Sequence, residues 1–286
     1  MSVVALPVTV RALRAEVGTL LDHAGVDRPH DEARDLIAAV LDKPRFWAVE
    51  HADEVLDGEA IRAAAYRRAR GMPFAYAVGK AAFRHLTVNV DERVLIPRQE
   101  TELLVELVLT RTSGRGVVAD IGCGSACIAL ALATEGEFER VIASDISEDA
   151  LVVARCNVGA QPGLNCPVEL RSGDLLQTLR PADCIAAIVS NPPYIARHEM
   201  NSLPASVIDW EPHQALESDN EGLAHTFQII ADASRVLQPG GLLAFEVDSR
   251  RAQRVAGQLR ASGFSGVTVH DDFSGRERYV LGARPL

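Results

Sequence analysis

Residues 116–136 read "GVVADIGCGSACIALALATEG", and this stretch decides the fold. Val117 to Ile121 is an apolar run broken by one acid, Asp120, and has the length and bounding glycine of a buried strand. Gly122 and Gly124 follow, and "SACIALALATEG" then reads as a helix. Glycines let the backbone turn sharply and approach a ligand closely. A dinucleotide-binding fingerprint asks for G-x-G-x-x-G. Here Cys127 holds the last position, so that motif fails. A ligand without a pyrophosphate has less need of the third glycine.

Downstream the same unit repeats. "RVIASDI" (140–146) is strand-like and carries Asp145 near its end. "SEDALVVARCNVG" (147–159) is a helix with Ser147 as its cap and acids in its first turn. "CPVELRSGD" (166–174) is a strand closing on Asp174, and "CIAAIVS" (184–190) is another. "GLAHTFQIIADASRVL" (222–237) is a long helix that Pro239-Gly240-Gly241 ends. "LLAFEVD" (242–248) is a strand, "SRRAQRVAGQLRASG" (249–263) a helix, and "GVTVHDD" and "RYVLGAR" are closing strands. Strands alternating with helices imply a mostly parallel sheet covered on both faces. The last two strands lack an intervening helix, which predicts an antiparallel hairpin at one edge.

Upstream the period changes. Residues 8–77 show helical spacing and almost no strand signal: Val10, Leu13, Val17, Leu20 and Leu21 share one face. "PHDEARDLIAAVLD" (29–42) starts with proline and early acids, and a third helix covers roughly 58–70. In residues 81–97, Phe83, Leu86, Val88 and Val90, then Val94, Leu95 and Ile96, suggest a hairpin ended by Pro97. "QETELLVELVL" reads as a helix. The expected division is a helical domain over 1–78, a β-hairpin connector over 79–97 and an α/β domain over 98–286.

Composition sets limits on function. The chain has 286 residues, 48% hydrophobic and 24% charged, an ordinary globular profile. Net charge is −10, which argues against nonspecific binding to a phosphate backbone. The one basic run, "RAAAYRRAR" (62–70), reads as a solvated helix face. Five cysteines without a CxxC pair read as small, reduced, buried residues of a cytoplasmic protein, and no metal site is expected. "MSVVALPVTVRALR" lacks the pattern of a signal peptide, and "ACIALALA" is too short to span a bilayer.

Open parallel sheets bind ligands at the carboxyl ends of their strands. A glycine turn, Asp145 and Asp174 fall at three such ends, and a strand-end carboxylate can accept both hydroxyls of a ribose. "NPPY", residues 191–194, falls at a fourth. A methyl acceptor of amide or amine type must have its hydrogens held and its lone pair aimed. The Asn191 carboxamide oxygen and the Pro192 carbonyl are two acceptors for that. Consecutive prolines stiffen the carbonyl direction and offer no competing N–H. The Tyr194 ring is a flat wall for a planar amide or base. The alternative is a strand stopped by an asparagine turn and two breakers.

As an ordered set, Asp120, Gly122, Gly124, Asp145 and Asp174 resemble the S-adenosyl-L-methionine site of class I methyltransferases. With NPPY added, the chain resembles amino-methyltransferases. "RARGMPFAYAVGKAAF", "VLIPRQETELLVE", "EGLAHTFQII" and "DFSGRERYVLG" resemble the release factor glutamine N5-methyltransferase family over almost the whole chain. The resemblance implies a Rossmann-like α/β sheet and methyl transfer from S-adenosyl-L-methionine to the glutamine nitrogen of a GGQ loop in class 1 peptide chain release factors. It implies cofactor contacts from Asp120, Gly122, Cys123, Gly124, Ser125, Ala126, Asp145, Ile146, Asp174, Leu175 and Asn191. It implies that Asn191, Pro192, Pro193 and Tyr194 carry catalysis and hold the glutamine, and that Arg98 and Glu100, in a segment covering the active site (residues 96–102), also bind the substrate. The helical domain would dock the release factor, and a monomer without direct nucleic-acid binding is expected. The family usually has proline at Gln99, often glycine at Ala126, and commonly glycine at Asp248. Two rivals remain: a DNA adenine-N6 methyltransferase acting on a flipped base, which would need a basic groove and a target-recognition segment, and a non-catalytic S-adenosylmethionine-binding interaction protein.

Overall fold

The computed structural model describes residues 7–286 and divides them into two compact units. Met1 to Leu6, where the N-terminal reading began, lie outside the described residues.

The first unit comprises residues up to Lys80 together with Ala205–Trp210. Its strands β1 (Val8–Thr9) and β2 (Val55–Leu56) form a two-residue antiparallel pair. Its helices are α1 (Val10–His23), α2 (Pro29–Val40), α3 (Trp47–Glu50), α4 (Glu59–Ala69) and α5 (Phe74–Val78). Thr9 caps α1 by accepting from the Ala12 N–H, and Pro29 opens α2 with a φ already suited to helix. Leu13, Val17, Leu21, Leu36, Ile37, Ile61 and Ala64 interlock as one apolar cluster. The basic run lies on α4, and much of its charge is spent locally. Arg62 donates to Glu16 at 2.7 Å, Arg68 to Glu32 at 2.5 Å, and Arg67 to the Ala77 carbonyl.

The second unit comprises Ala81–Pro204 and Glu211–Leu286. Strands β3 (Lys80–Phe83) and β4 (Leu86–Asn89) pair, as the period-two pattern predicts. The expected continuation at Val94-Leu95-Ile96 is not a strand. Asp91 turns the chain first: its carboxylate accepts the Arg93 N–H and its carbonyl accepts from Val94. Helix α6 (Gln99–Thr112) follows.

Among the described residues, seven strands make the main sheet: β5 (Val117–Ile121), β6 (Arg140–Asp145), β7 (Val168–Ser172), β8 (Ile185–Ser190), β9 (Leu237–Glu246), β10 (Ser265–Asp271) and β11 (Glu277–Ala283). Their order is β10-β11-β9-β8-β5-β6-β7, with β10 and β11 running as the predicted antiparallel edge hairpin. The remaining helices of this unit are α7 (Cys127–Glu135), α8 (Glu148–Ala160), α10 (Asp219–Gly222), α11 (Ala224–Val236) and α12 (Ala252–Ala261), while α9 (Ala205–Ile208), between α8 and α10 in sequence, belongs to the first unit. The α/β alternation therefore stands as read, with Ser147 capping α8. Ile188, Leu243 and Phe245 on the central strands are fully buried, each contributing about 1.5–3 kcal/mol of burial. Edge strand β7 carries Glu169 and Arg171, polar side chains of the kind that discourage pairing with another chain.

Two further expectations change. Pro239-Gly240-Gly241 does not separate α11 from its strand. Strand β9 already begins at Leu237, opposite Ile185, and resumes at Leu242, opposite Ala187. The intervening residues bulge out, and Gly240 supplies the positive φ of +76° that the bulge needs. Of the five cysteines, Cys156 and Cys184 are exposed, because the buried face of α8 passes through Leu151, Ala154 and Asn157 instead, and Cys184 sits in the turn before β8.

Candidate functional site

Strand order reverses direction at β5: its sequence successor β6 lies on one side and β8 on the other. The two sets of connections diverge there and leave a crevice at the carboxyl ends. Ile121 pairs with Ser144 and with Ser190, so the residues just after β5, β6 and β8 emerge side by side. The Ser190 hydroxyl donates to the Ile121 carbonyl at 2.7 Å and ties the β5 and β8 ends together.

The turn after β5 is held by its neighbour. The Gly122 and Cys123 N–H groups both donate to the Ser144 carbonyl. The Gly124 N–H donates to Asp145 Oδ2 at 2.9 Å, and the Ser147 N–H donates to Oδ1 at 2.9 Å. Gly122 and Gly124 have φ of +72° and +52°, and a Cβ built on either would meet nothing within 4 Å. The turn is thus an open cradle. Ala126 also has positive φ, +64°, at the start of α7. A left-handed conformation costs an L-residue roughly 1–2 kcal/mol, which explains why glycine suits this position. Ala126 is fully buried, and that burial offsets part of the cost, about 0.8 kcal/mol per methyl-sized group.

Gly122, Gly124, Asp145, Ile146, Asp174 and Leu175 line one cavity, and Asn191 and Pro193 belong to the same wall. Burial pushes the Asp145 carboxyl upward, against the pull of the backbone N–H groups it accepts. Ile146 is 53% exposed beside it, an apolar surface next to a carboxylate. Asp174 stands two residues beyond β7, at the start of a short 3-10 turn, with Leu175 at φ +44°. Asp120 is fully buried and lies outside the cavity lining. Its Oδ2 accepts the Ala129 N–H, its Oδ1 has no partner, and burial raises it to about 7. An open glycine cradle, a carboxylate at the next strand end and an adjoining apolar shelf suit a nucleoside carrying an amino-acid tail.

Cys123, Ser125 and Ala126 are in the turn but not in the cavity wall, and Pro192 and Tyr194 are not in it either. Pro192 is buried. Its carbonyl belongs to the peptide that joins it to wall residue Pro193. Burial raises the Tyr194 phenol above its ordinary range. Arg98 is turned to Glu211, donating to Oε1 at 2.5 Å, while the Ile96 N–H donates to Oε2. The Glu100 side chain is exposed, and its carbonyl accepts the Tyr279 hydroxyl at 2.5 Å. Gln99 is exposed at the start of α6. Asp248 accepts from the Arg250 N–H and guanidinium, which hold its carboxyl below the usual range against the raising effect of burial.

The Arg98–Glu211 pair fixes the start of α6, since the Glu211 side chain is only 1% exposed. Replacing Arg98 by methionine strands that acid. Arg98→Met is expected to lower unfolding stability by about 1–3 kcal/mol, and adding Glu211→Gln is expected to restore most of it. Denaturant unfolding of the single and double variants checks this.

Several site residues had no local signature. Leu95, Pro212, Gln214, Ala215 and His225 also line the cavity, brought there by loops far apart in sequence. Asn157 links two segments: it accepts from the Asn89 N–H and donates to the Asn89 and Ser125 carbonyls. A polar residue at the buried i+3/i+4 face of α8, after Val153 and Ala154, was the available hint. Thr101 and Glu246, both buried, sit behind Asn191. Among the described residues, no helix is long and apolar enough to cross a membrane, and no group of three or more acids, histidines or cysteines could hold a metal ion.

Comparison with known proteins is consistent across the chain. Residues 98–221 match the family model "Methyltransferase small domain", and residues 12–79 match "PrmC N-terminal domain". A release factor glutamine methyltransferase of Moorella thermoacetica is 40% identical over 283 residues, covering 96% of this chain and 99% of that one. One of Cereibacter sphaeroides is 36% identical and covers 96% and 98%. Among solved structures, the hMettl16 catalytic domain in complex with MAT2A 3'UTR hairpin 1 aligns with a TM-score of 0.58 at 16% identity, over 88% of this chain and 91% of that one. A methyltransferase from Pyrococcus furiosus aligns with a TM-score of 0.53 at 18% identity, over 77% and 99%. At these identities the structural likeness concerns the fold.

Proposed function

The chain belongs to the release factor glutamine methyltransferase family, and on that premise we propose that it methylates the side-chain N5 of the glutamine in the GGQ loop of bacterial class 1 peptide chain release factors. When bound, S-adenosyl-L-methionine supplies the methyl group, activated as a sulfonium. Gly122, Gly124, Asp145, Ile146 and Leu175 hold it in the cavity, with Asp145 taking the ribose hydroxyls. The observation that carries the reading is Asn191 standing at the end of β8, in the same wall as the glycine cradle.

Asn191 Oδ1 and the Pro192 carbonyl accept the two glutamine N–H groups, which leaves the nitrogen lone pair facing the donor. Formation of the carbon–nitrogen bond, matched by cleavage of the methyl–sulfur bond, would create positive charge on the neutral nitrogen until one N–H proton is lost to water, and two fixed acceptors stabilise that charge more in the transition state than in the ground state. Tyr194 packs against the amide plane. Arg98 supports the covering segment through Glu211, and Glu100 faces solvent at its edge. The helical unit docks the release factor. Net charge of −10 and arginines paired within α4's own unit favour a protein substrate over a nucleic acid. The protein acts in the cytoplasm as a monomer.

The test uses purified protein, labelled S-adenosyl-L-methionine and intact release factors, with mass spectrometry placing the methyl group. Label on the GGQ glutamine is the expected result. Label on DNA, with none on release factors, would overturn the reading, as would tight cofactor binding without transfer to either.

A further inference from the structure

An asparagine offers an acceptor at one end of its carboxamide and a donor at the other. The side chain alone does not select which end faces the acceptor nitrogen. Behind Asn191 stands a two-residue chain that does. Asn191 Nδ2 donates to Thr101 Oγ1 at 3.2 Å, and Thr101 Oγ1 donates to Glu246 Oε2 at 2.7 Å. Thr101 lies in the first turn of α6 and is 3% exposed; Glu246 closes β9 and is 1% exposed.

A hydroxyl carries a single proton. Burial raises the Glu246 carboxyl to about 7; in its ionised form it only accepts and takes the Thr101 proton, so toward Asn191 Thr101 can then only accept. Turning the carboxamide over would place Asn191 Oδ1 against Thr101 Oγ1, two acceptors in contact. Relieving that contact would take the Thr101 proton away from Glu246 and leave a buried carboxylate without it, an arrangement that costs more than the hydrogen bond gained. We propose that Thr101 and Glu246 are positioning residues for methyl transfer: together they fix the sense of the Asn191 carboxamide, so that Oδ1 and not Nδ2 meets the substrate nitrogen. The inference rests on the glutamine reading given above, in which the substrate NH₂ needs an acceptor there.

Neither residue touches the reacting atoms. Their effect is therefore on turnover and not on cofactor affinity or release-factor docking. Thr101→Val keeps the shape and removes the hydroxyl; Thr101→Ser keeps the hydroxyl. In the release-factor assay, Thr101→Val is expected to lower kcat about tenfold or more, with KM values for both substrates within about threefold of wild type. Thr101→Ser is expected to recover kcat to within about threefold. A purely packing role predicts the opposite order, because valine fills the site better than serine.

A second measurement needs no substrate. With asparagine side chains labelled with ¹⁵N, the Asn191 NH₂ signals are assigned by their loss in Asn191→Ala. Wild type and Thr101→Ser are expected to share one hydrogen-bonded Nδ2 proton in slow exchange with water, and Thr101→Val to lose it. Identical Asn191 signals in all three, or kcat of Thr101→Val within about twofold of wild type, would overturn the positioning role. If wild type itself places no methyl on the release factor, the glutamine reading falls, and the NMR comparison still decides whether Thr101 fixes Asn191.

Discussion

Asn191→Ala is expected to lower kcat for methyl transfer by about a hundredfold to a thousandfold. Truncation removes the carboxamide oxygen that holds one N–H and faces the charge developing on nitrogen. The Pro192 carbonyl survives, so the substrate keeps one of its two acceptors, and its planar carboxamide regains rotation about the single bond that carries it. Cofactor contacts change less. The glycine cradle, Asp145 and its two backbone donors lie at the end of β6 and in the turns after β5 and β6, and do not depend on Asn191. Cofactor affinity is expected to stay within about tenfold, roughly 1.4 kcal/mol. The fold should also hold, because Asn191 is only half-buried and Thr101 keeps its bond to Glu246. The decisive comparison is single-turnover transfer beside calorimetric cofactor binding. Near-normal turnover with normal binding would falsify the acceptor role.

The parts of this protein that are local in sequence were legible there. Strand β5, its glycine turn and α7 follow from adjacent residues, because a period change and two glycines are one-dimensional signals. The parallel strand direction and the edge hairpin followed from whether a helix intervened between strands. Other features depend on distant segments. The Gly240 bulge is held where the Gly240 N–H donates to the Arg284 carbonyl and the Arg284 N–H donates to the Gly241 carbonyl, a pairing made with the residue after β11, far along the chain. The six residues Ala205–Trp210 group with the helical unit, although they lie within the α/β portion of the sequence. At the site, glycines and strand-end acids could be read directly. Thr101 and Glu246 could not: each looks like an ordinary residue of an amphipathic helix or a strand end, and only packing α6 against β8 and β9 brings them behind Asn191.

Gly222→Ala is expected to be among the most damaging single-methyl additions, and its effect should reach activity before it reaches folding. The segment after NPPY is pinned from the other side of the crevice. The Ile195 N–H donates to the Leu216 carbonyl, and the Ser218 N–H donates to the Ile195 carbonyl. The chain then passes through Asn220, Glu221 and Gly222, all left-handed, at φ of +55°, +56° and +78°. Arg251 holds this turn by donating to the Glu221 carbonyl at 2.5 Å and to Glu199 at 2.7 Å. A Cβ at Gly222 would lie 2.2 Å from the Tyr194 carbonyl oxygen and 2.9 Å from Arg251 Nε. The first neighbour is backbone and cannot swing aside as a side chain can. Either Tyr194 moves, carrying the prolines and Asn191 with it, or the turn opens and loses Arg251. Overpacking and left-handed strain together are expected to cost about 2–4 kcal/mol. For a unit of this size that lowers Tm by several degrees, on the order of 5–15 °C. Transfer measured well below the lowered Tm is expected to fall by about tenfold or more, since a displacement near one ångström at Asn191 misaims both acceptors. Gly163→Ala is the control: its φ is +75°, but a Cβ there meets nothing within 4 Å. It should show the conformational cost alone, about 1–2 kcal/mol, with turnover unchanged. Equal losses in the two variants would mean that the Tyr194 contact does not set the position of the clamp.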